Sequence, residues 1–316
     1  MEAAELEIFS ATIRRATETG TGETLDAALE ALGWRDALVA DRQGAVSLLF
    51  EAQGSALADS SALDWLLAAG LGEDDGANAP VVLPPLRRPE APGRRRDGRI
   101  EATGLGTRSL ARADAALVVA ETDAGPVAVT VKASELELRP VGGLDPWLGL
   151  VEVTADLDAG ATRPVDWAEA LSLGQLALGH ELVGLARAML ELARRHALDR
   201  VQFGRPIGSF QAVRHRLAES LVALEAADAL LSAAWEDPSP VTAAMAKGLA
   251  GRSARTVARH AQQVLAGIGF TAEHPLQRHV RRTIVLDQLL GASSVLTAQL
   301  GADVLERAAL PPTFPL

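Results

Sequence analysis

The residues best suited to chemistry lie together in Arg200-Val-Gln-Phe-Gly-Arg-Pro-Ile-Gly-Ser-Phe-Gln211, between two long amphipathic segments. Helical apolar spacing runs up to Leu198, stops over Phe203-Gly204 and Pro206-Ile207-Gly208, and resumes at Val213, Leu217, Leu221 and Leu224. An ordinary helix connection is short and polar. This one carries two guanidinium groups, two amides and two phenyl rings within twelve residues. A guanidinium presents a fixed fork of donors that matches phosphate oxygens, and glycine lets a ligand approach the backbone closely. The combination suits a loop that clasps a pyrophosphate and an adenine at the surface of a helical bundle.

This stretch resembles the corresponding loop of the acyl-CoA dehydrogenases, which reads Arg-x-x-Phe-Gly-x-x-Ile-x-x-Phe-Gln. A second stretch, Gln263-Val-Leu-Ala-Gly-Ile-Gly-Phe270, is followed by Glu273-His-Pro-Leu and Arg281-Arg282. It is similar to the same family's Gln-x-x-Gly-Gly-x-Gly-Phe/Tyr segment, with Ala266 at the first Gly; His196 stands where a Tyr is common. The resemblance is clear over about residues 166–301 and weak before them. It implies FAD as cofactor, with Arg200 pairing with the pyrophosphate, Gln202 beside it, and Phe203-Gly204 packed along the dinucleotide. Gln211 and Gln263 would contact the adenosine end, and Gly267 would admit the backbone to it. In the family the flavin ring and the ADP half are held by different subunits.

Dehydrogenating an acyl-CoA needs a carboxylate to take the α-proton, a flavin to take the β-hydride, and polarisation of the thioester carbonyl. Many members place the base in Tyr-Glu-Gly-Thr near the end of the fourth bundle helix. The matching residues here are Leu289-Leu290-Gly291-Ala292. Other members carry it near the start of the first bundle helix, a position that falls here on Gly174-Gln175. Neither offers a carboxylate, and the stretch Val82–Pro92, where the ring-binding loop should lie, lacks the family's small hydroxyl residues. Two nearby acids are weak candidates for a displaced base: Asp287, one turn before Leu290, and Glu181, beside His180. His215, His260, His274 and His279 show no metal-ligand spacing, so no metal site is expected. Gly104-Leu-Gly106 lacks the third glycine of a dinucleotide fingerprint.

The elements that would position these residues fall into three parts. Residues 1–79 read as an N-terminal helical domain, with apolar stripes at Leu6, Ile8, Phe9 and Ile13, at Leu25, Ala28, Leu29 and Leu32, and at Leu63, Leu66 and Leu67 before the acidic stretch 72–76. Residues 80–165 carry short β-like runs separated by Gly/Pro turns, expected as a small antiparallel barrel or sheet. Residues 166–316 read as an antiparallel four-helix bundle, opened by a cap at Asp166 with Glu169 reaching back. Its helices are expected over residues 166–198, 211–234, 241–265 and 274–307, the last ending before Pro311-Pro312. The expected fold is thus mainly α with a small β domain, acyl-CoA dehydrogenase-like.

The totals narrow the function class. The 316 residues can hold several domains, and 48% of them are hydrophobic, so sizeable cores are expected. Cysteine is absent, which removes disulfides, thiolate ligands and a thiol nucleophile and fits a cytoplasmic chain. No basic leader opens the sequence and no apolar run reads as long enough to span a bilayer, so no membrane partner is expected. A net charge of −11 disfavours nucleic acid, and the run Arg94-Arg95-Arg96 with Arg99 reads as a solvated turn.

Three readings follow from the resemblance. The first is a short, non-catalytic subunit that shares FAD with a longer acyl-CoA dehydrogenase homologue in an α2β2 heterotetramer acting on a fatty or steroid-side-chain acyl-CoA. The second is a self-sufficient homo-oligomeric dehydrogenase with a displaced base. The third is a flavin-free scaffold chain.

Overall fold

The computed structural model of the chain describes residues 3–72 and 79–308. Most of the acidic stretch 72–76 and Pro311-Pro312 lie outside those residues. Five helices come first: α1 (Ala3–Thr19), α2 (Glu23–Ala31), α3 (Trp34–Ala40), α4 (Arg42–Ala56) and α5 (Ala62–Gly70). Most of the apolar stripe positions are core, with Ile13, Leu25, Leu29, Trp34, Leu49, Leu66 and Leu67 buried, whereas Ile8 on α1 is exposed. The α4 helix starts where Asp41 accepts from the Gly44 amide at 2.9 Å.

The middle region is a seven-stranded sheet of β1 (Gly93–Arg96), β2 (Arg99–Gly106), β3 (Ala115–Glu121), β4 (Val127–Lys132), β5 (Glu137–Pro140), β6 (Val151–Asp158) and β7 (Arg163–Pro164). The spatial order is β5-β6-β2-β1-β3-β4-β7. Every neighbouring pair is antiparallel except β1 with β3, so the sheet is open and mixed, which corrects the expected antiparallel barrel. The parallel pair arises because the chain leaves the β1–β2 hairpin and re-enters on the far side of β1. The basic run Arg94–Arg96 is also corrected from turn to strand: it pairs with β2, and the turn itself is Asp97-Gly98, both at positive φ (49° and 78°). Its three side chains are exposed.

The last region holds α6 (Trp167–Asp199), a two-strand hairpin of β8 (Val201–Gln202) and β9 (Arg205–Pro206), α7 (Gln211–Glu236), α8 (Pro240–Leu265), α9 (Leu276–Gln288) and α10 (Ser293–Arg307). Asp166 caps α6 by accepting from the Glu169 amide at 3.0 Å. The Glu169 carboxylate pairs with Arg42 at 3.7 Å, on the neighbouring α4. The expected fourth bundle helix is two helices, because Leu290 and Gly291 both take positive φ (52° and 99°), a conformation no right-handed helix contains. Taken together, Leu276–Arg307 is by length and composition apolar enough to cross a membrane, which corrects the expectation that no run is; 44% of that window is buried inside the protein.

The α6 helix is the axis of the molecule, with α8 on one side and α4 on another. It lies so close to α4 that a β-carbon on Gly54 would collide with the Glu181 carbonyl, and one on Gly184 with the Glu51 carbonyl. One hydrophobic core runs continuously from Ile13 in α1 through Leu182 and Leu185 in α6 to Leu286 in α9.

Candidate functional site

Two places gather the residues singled out by sequence. The first is the end of the bundle where α6 and α8 stop and α7 and α9 begin. Arg200 caps α6 at its C-terminal end, its amide bonded to the His196 carbonyl at 2.9 Å. Its carbonyl then accepts from Ile207 at 2.8 Å, which closes the β8–β9 hairpin back on the helix. The hairpin turn is Phe203-Gly204, both left-handed (φ 54° and 75°). For a Phe that conformation costs roughly 1–2 kcal/mol, and the ring is 91% exposed. Phe203 meets Phe210 edge-on at 6.1 Å, and the Arg205 guanidinium stacks on Phe210 at 4.3 Å. Strained backbone beneath an exposed aromatic ring is a feature that a binding partner, rather than the fold, explains.

Gln211 opens α7, and Gln263 lies in the last turn of α8, both exposed. Gly267 follows in a 3-10 turn, with open space around it, as around Gly204. Burial, then the neighbouring Arg200 and His274, hold the His196 imidazole below its usual range. Among the described residues no carboxylate pairs with Arg200. Arg200, Gln202, Gln211 and Gln263 therefore face solvent at one end of the bundle, and the Gln202 side-chain amide donates to the Val201 carbonyl at 2.8 Å. An unpaired guanidinium, exposed amides and open glycines fit the phosphates and sugar of a dinucleotide approaching from outside.

The second place is the joint between α9 and α10. Leu290 and Gly174, the two positions where the resemblance would put a base, are in contact: a β-carbon on Gly174 would meet Leu290 Cδ1 at 2.5 Å and Leu67 Cδ2 at 2.9 Å. Gln175 donates to the Leu290 carbonyl at 2.9 Å. Three apolar or amide groups thus fill the space a carboxylate would need. Lys247, fully buried, donates from Nζ to the carbonyls of Asp287 (2.9 Å) and Gly291. It holds the end of α9 as a helix-terminal cation does, and burial pushes its pKa down to about 7.

Asp287 is fully buried, bonded to Arg255 and to the Ser293 amide and hydroxyl (both 3.3 Å). Its carboxylate faces α8, so it serves as an ion pair within the bundle. Glu181 is buried as well but takes no hydrogen bond among the described residues; Arg282 lies 3.8 Å away and is itself bound to Asp145. Burial pushes the Glu181 carboxyl up to about 7, against the opposing Arg282 charge.

The stretch Val82–Pro92 is tied to this joint. Arg87 donates from its amide to Gln288 at 2.7 Å and accepts from Ala292 at 3.4 Å, and Trp167 Nε1 donates to Pro89 at 3.0 Å. Its prolines and Leu86 offer a flavin ring no hydroxyl groups, so the chain fits the nucleotide half of FAD and not the ring half in the family's manner.

One acid–histidine cluster exists among the described residues, Glu51, His180 and Asp228. Its bonds are already made: His180 Nδ1 meets Glu51 at 3.2 Å, His180 Nε2 accepts from Trp235 at 3.1 Å, and Arg187 bridges Glu51 and Asp228. Both imidazole nitrogens are engaged, and the arrangement is a hydrogen-bonded brace between α4, α6 and α7.

The sequence reading missed Lys247, Arg255 and Arg282 as site residues. A signal existed for the first: Lys247 stands in the stripe Ala243, Ala250, Ala254, Ala258 that marks the buried face of α8. A lysine there is either wrong or paired.

Residues 167–305 match the model of the acyl-CoA dehydrogenase C-terminal domain. The chain is 34% identical over 160 residues to acyl-CoA dehydrogenase IpdE2 of Mycolicibacterium smegmatis, covering 50% of this chain and 51% of that protein. It spans about half the length of the curated relatives first matched. Among solved structures, it superimposes on the Tcur3481-Tcur3483 steroid ACAD G363A variant with a TM-score of 0.80, at 24% identity, over 96% of this chain and 99% of that one. It superimposes on the ChsE4-ChsE5 complex from Mycobacterium tuberculosis with a TM-score of 0.75, at 22% identity, over 99% of each chain.

Proposed function

We propose that this chain, whose residues 167–305 match the acyl-CoA dehydrogenase C-terminal domain and whose described residues share the fold of acyl-CoA dehydrogenases, is a non-catalytic subunit of a heteromeric, FAD-dependent acyl-CoA dehydrogenase. It completes the FAD site of a longer homologue, in an α2β2 assembly, through Arg200, Gln202, Phe203, Gly204, Gln211, Gln263 and Gly267. When bound, FAD supplies the acceptor for the β-hydride of an acyl-CoA thioester. This chain's part is to bind and orient the nucleotide half: Arg200 neutralises pyrophosphate charge, the glutamines donate and accept at the sugar and base, and Phe203 shields them from water.

The observation that carries the reading is the contact of Leu290 with Gly174. It removes the carboxylate and the room for one from both candidate base positions at once, while the unpaired donors remain displayed at the far end of α6. A base must therefore come from another chain. The superposition on Tcur3481-Tcur3483 and ChsE4-ChsE5, each a named pair, supports a two-component assembly, and the description of the first as a steroid ACAD supports a bulky acyl group.

Co-expression with a longer homologue that retains a carboxylate at one of these positions, followed by the flavin-to-protein ratio, tests it. Two flavins per four chains is the expected result. Four would overturn the division of labour, and so would a yellow, substrate-bleached preparation of this chain alone.

A further inference from the structure

Glu219 and Ser220 in the first half of α7 meet His260 near the end of α8. Hydrogen positions in this group follow from what each atom can do. Ser220 is buried, and its one hydroxyl hydrogen goes to the Arg216 carbonyl at 2.7 Å. Its oxygen can then only accept from His260 Nδ1, 3.1 Å away. Neutral imidazole carries one hydrogen, so Nε2 is left with a lone pair. The Glu219 carboxylate stands 3.7 Å from that nitrogen. An acceptor thus meets an acceptor across a gap too long for a hydrogen bond.

His180, in the brace described above, shows the opposite count. Its Nε2 accepts from the Trp235 indole, a group that only donates, so its hydrogen lies on Nδ1 and is directed to Glu51 at 3.2 Å. Both nitrogens there are satisfied. His260 has a lone pair to offer, with a carboxylate beside it.

The gap at His260 fits a metal ion. Two ligand atoms each about 2.1 Å from a tetrahedral zinc stand about 3.4 Å apart, near the 3.7 Å found here. Imidazole with carboxylate suits Zn²⁺, whereas Mg²⁺ takes oxygen ligands. A third ligand lies within reach. His215 is four residues before Glu219 on α7, so the two share a helix face, the spacing at which paired helical side chains bind zinc. Both line one groove between α7 and α8, and His215 is exposed with no hydrogen bond among the described residues. Ser220 fixes the tautomer and ring of His260 as an outer partner does for a metal-binding histidine. Arg252 lines the same groove, and its charge works against a cation and limits the affinity.

We propose that His215, Glu219 and His260 bind a zinc ion, with Ser220 orienting His260, and that the ion ties α7 to α8. Spacing among the histidines does not announce it, because one ligand is a glutamate and another comes from a second helix. The site lies one turn inward from Gln211 and Gln263 and uses neither flavin nor a second subunit, so it stands or falls apart from the subunit role.

The test uses the full chain without an affinity tag, in whatever assembly it purifies, titrated by calorimetry with Zn²⁺ and with Mg²⁺. Zn²⁺ is expected to bind more tightly than about 100 µM, and Mg²⁺ at least about a hundredfold more weakly. His215→Ala and Glu219→Gln, both at exposed positions, should each weaken Zn²⁺ about tenfold or more, and Ser220→Ala about tenfold by freeing the His260 ring. Glu51→Gln, at the His180 brace, should leave it unchanged. Should Ser220→Ala fail to fold, the ¹⁵N resonances of His260 in the unaltered protein should show the hydrogen on Nδ1, with Nε2 shifting on Zn²⁺. No Zn²⁺ binding up to about 1 mM, equal affinity for Mg²⁺, an affinity that any of the first three substitutions leaves unchanged, a loss on Glu51→Gln, or a His260 Nε2 resonance indifferent to Zn²⁺ would each overturn the proposal.

Discussion

Leu290 Cδ1 lies 2.5 Å from the point that a β-carbon on Gly174 would occupy. The two residues come from opposite ends of the bundle sequence and meet because Leu290 takes a left-handed conformation (φ 52°) that turns its side chain into α6. Each therefore defines what the other can be. Gly174 must lack a side chain, and the leucine closes the space above it.

A first prediction tests this pairing. Gly174→Ala is expected to destabilise by about 1–3 kcal/mol through overpacking, partly offset by the better helix propensity of alanine. Adding Leu290→Ala should recover part of that loss, giving a coupling energy of about 1 kcal/mol or more in a double-mutant cycle by urea denaturation. Strict additivity would show that the contact is relaxed in solution.

At the other end of α6, Arg200→Ala should leave the chain's melting temperature within about 2 °C, because the side chain is exposed and unpaired. In the reconstituted complex it should weaken FAD retention about tenfold or more, as expected for losing a charge-assisted hydrogen bond to phosphate. Flavin retention by ultrafiltration reads the second effect and a thermal melt the first.

Glu181 makes a pH prediction. Its folded pKa, about 7, is raised above the ordinary 4.5 by burial, so the folded state binds its proton more tightly than the unfolded chain does. That contribution is fully present below about pH 4.5 and is lost as pH rises through about 7. Asp64, raised to about 6 by burial, works in the same direction from 3.8 upward. Glu181→Gln should therefore flatten the decline in unfolding free energy between pH 5 and pH 8 by about 2 kcal/mol; an unchanged slope would assign that decline elsewhere.

Lys247→Met should cost about 2–4 kcal/mol, because it leaves the carbonyls of Asp287 and Gly291 buried without their donor. Hydrogen exchange should show the loss concentrated at the amides of residues 287–296, with the α1–α3 amides little changed.

Much of this was legible in the sequence, for reasons that differ from element to element. Helices α6 and α7 were marked by uninterrupted periodicity and by the cap at Asp166 and the breaker at Phe203-Gly204, all local signals. The split of the fourth helix was not legible at Leu290-Gly291, because a single glycine in an apolar run is compatible with a continuous helix and the left-handed φ of Leu290 has no local sequence signal. The parallel β1–β3 pairing was invisible, because it depends on which side of a hairpin the chain returns to. Residues with donors on loops could be named as candidates from type and spacing. The ion pairs of Asp287 with Arg255 and of Arg282 with Asp145 could not be read, because the partners are far apart in the chain.

The backbone of Arg87 bonds to both sides of the α9–α10 joint, its amide to Gln288 and its carbonyl to Ala292. A proline-rich segment rooted in the sheet is thereby stitched across the one place where the last helix of the bundle could hinge. Any tilt of α10 against α9 must drag that segment along, and with it the indole of Trp167 at the head of α6. A neighbour docking on α10 would in this way be felt at the sheet, without a single bond passing through the hydrophobic core.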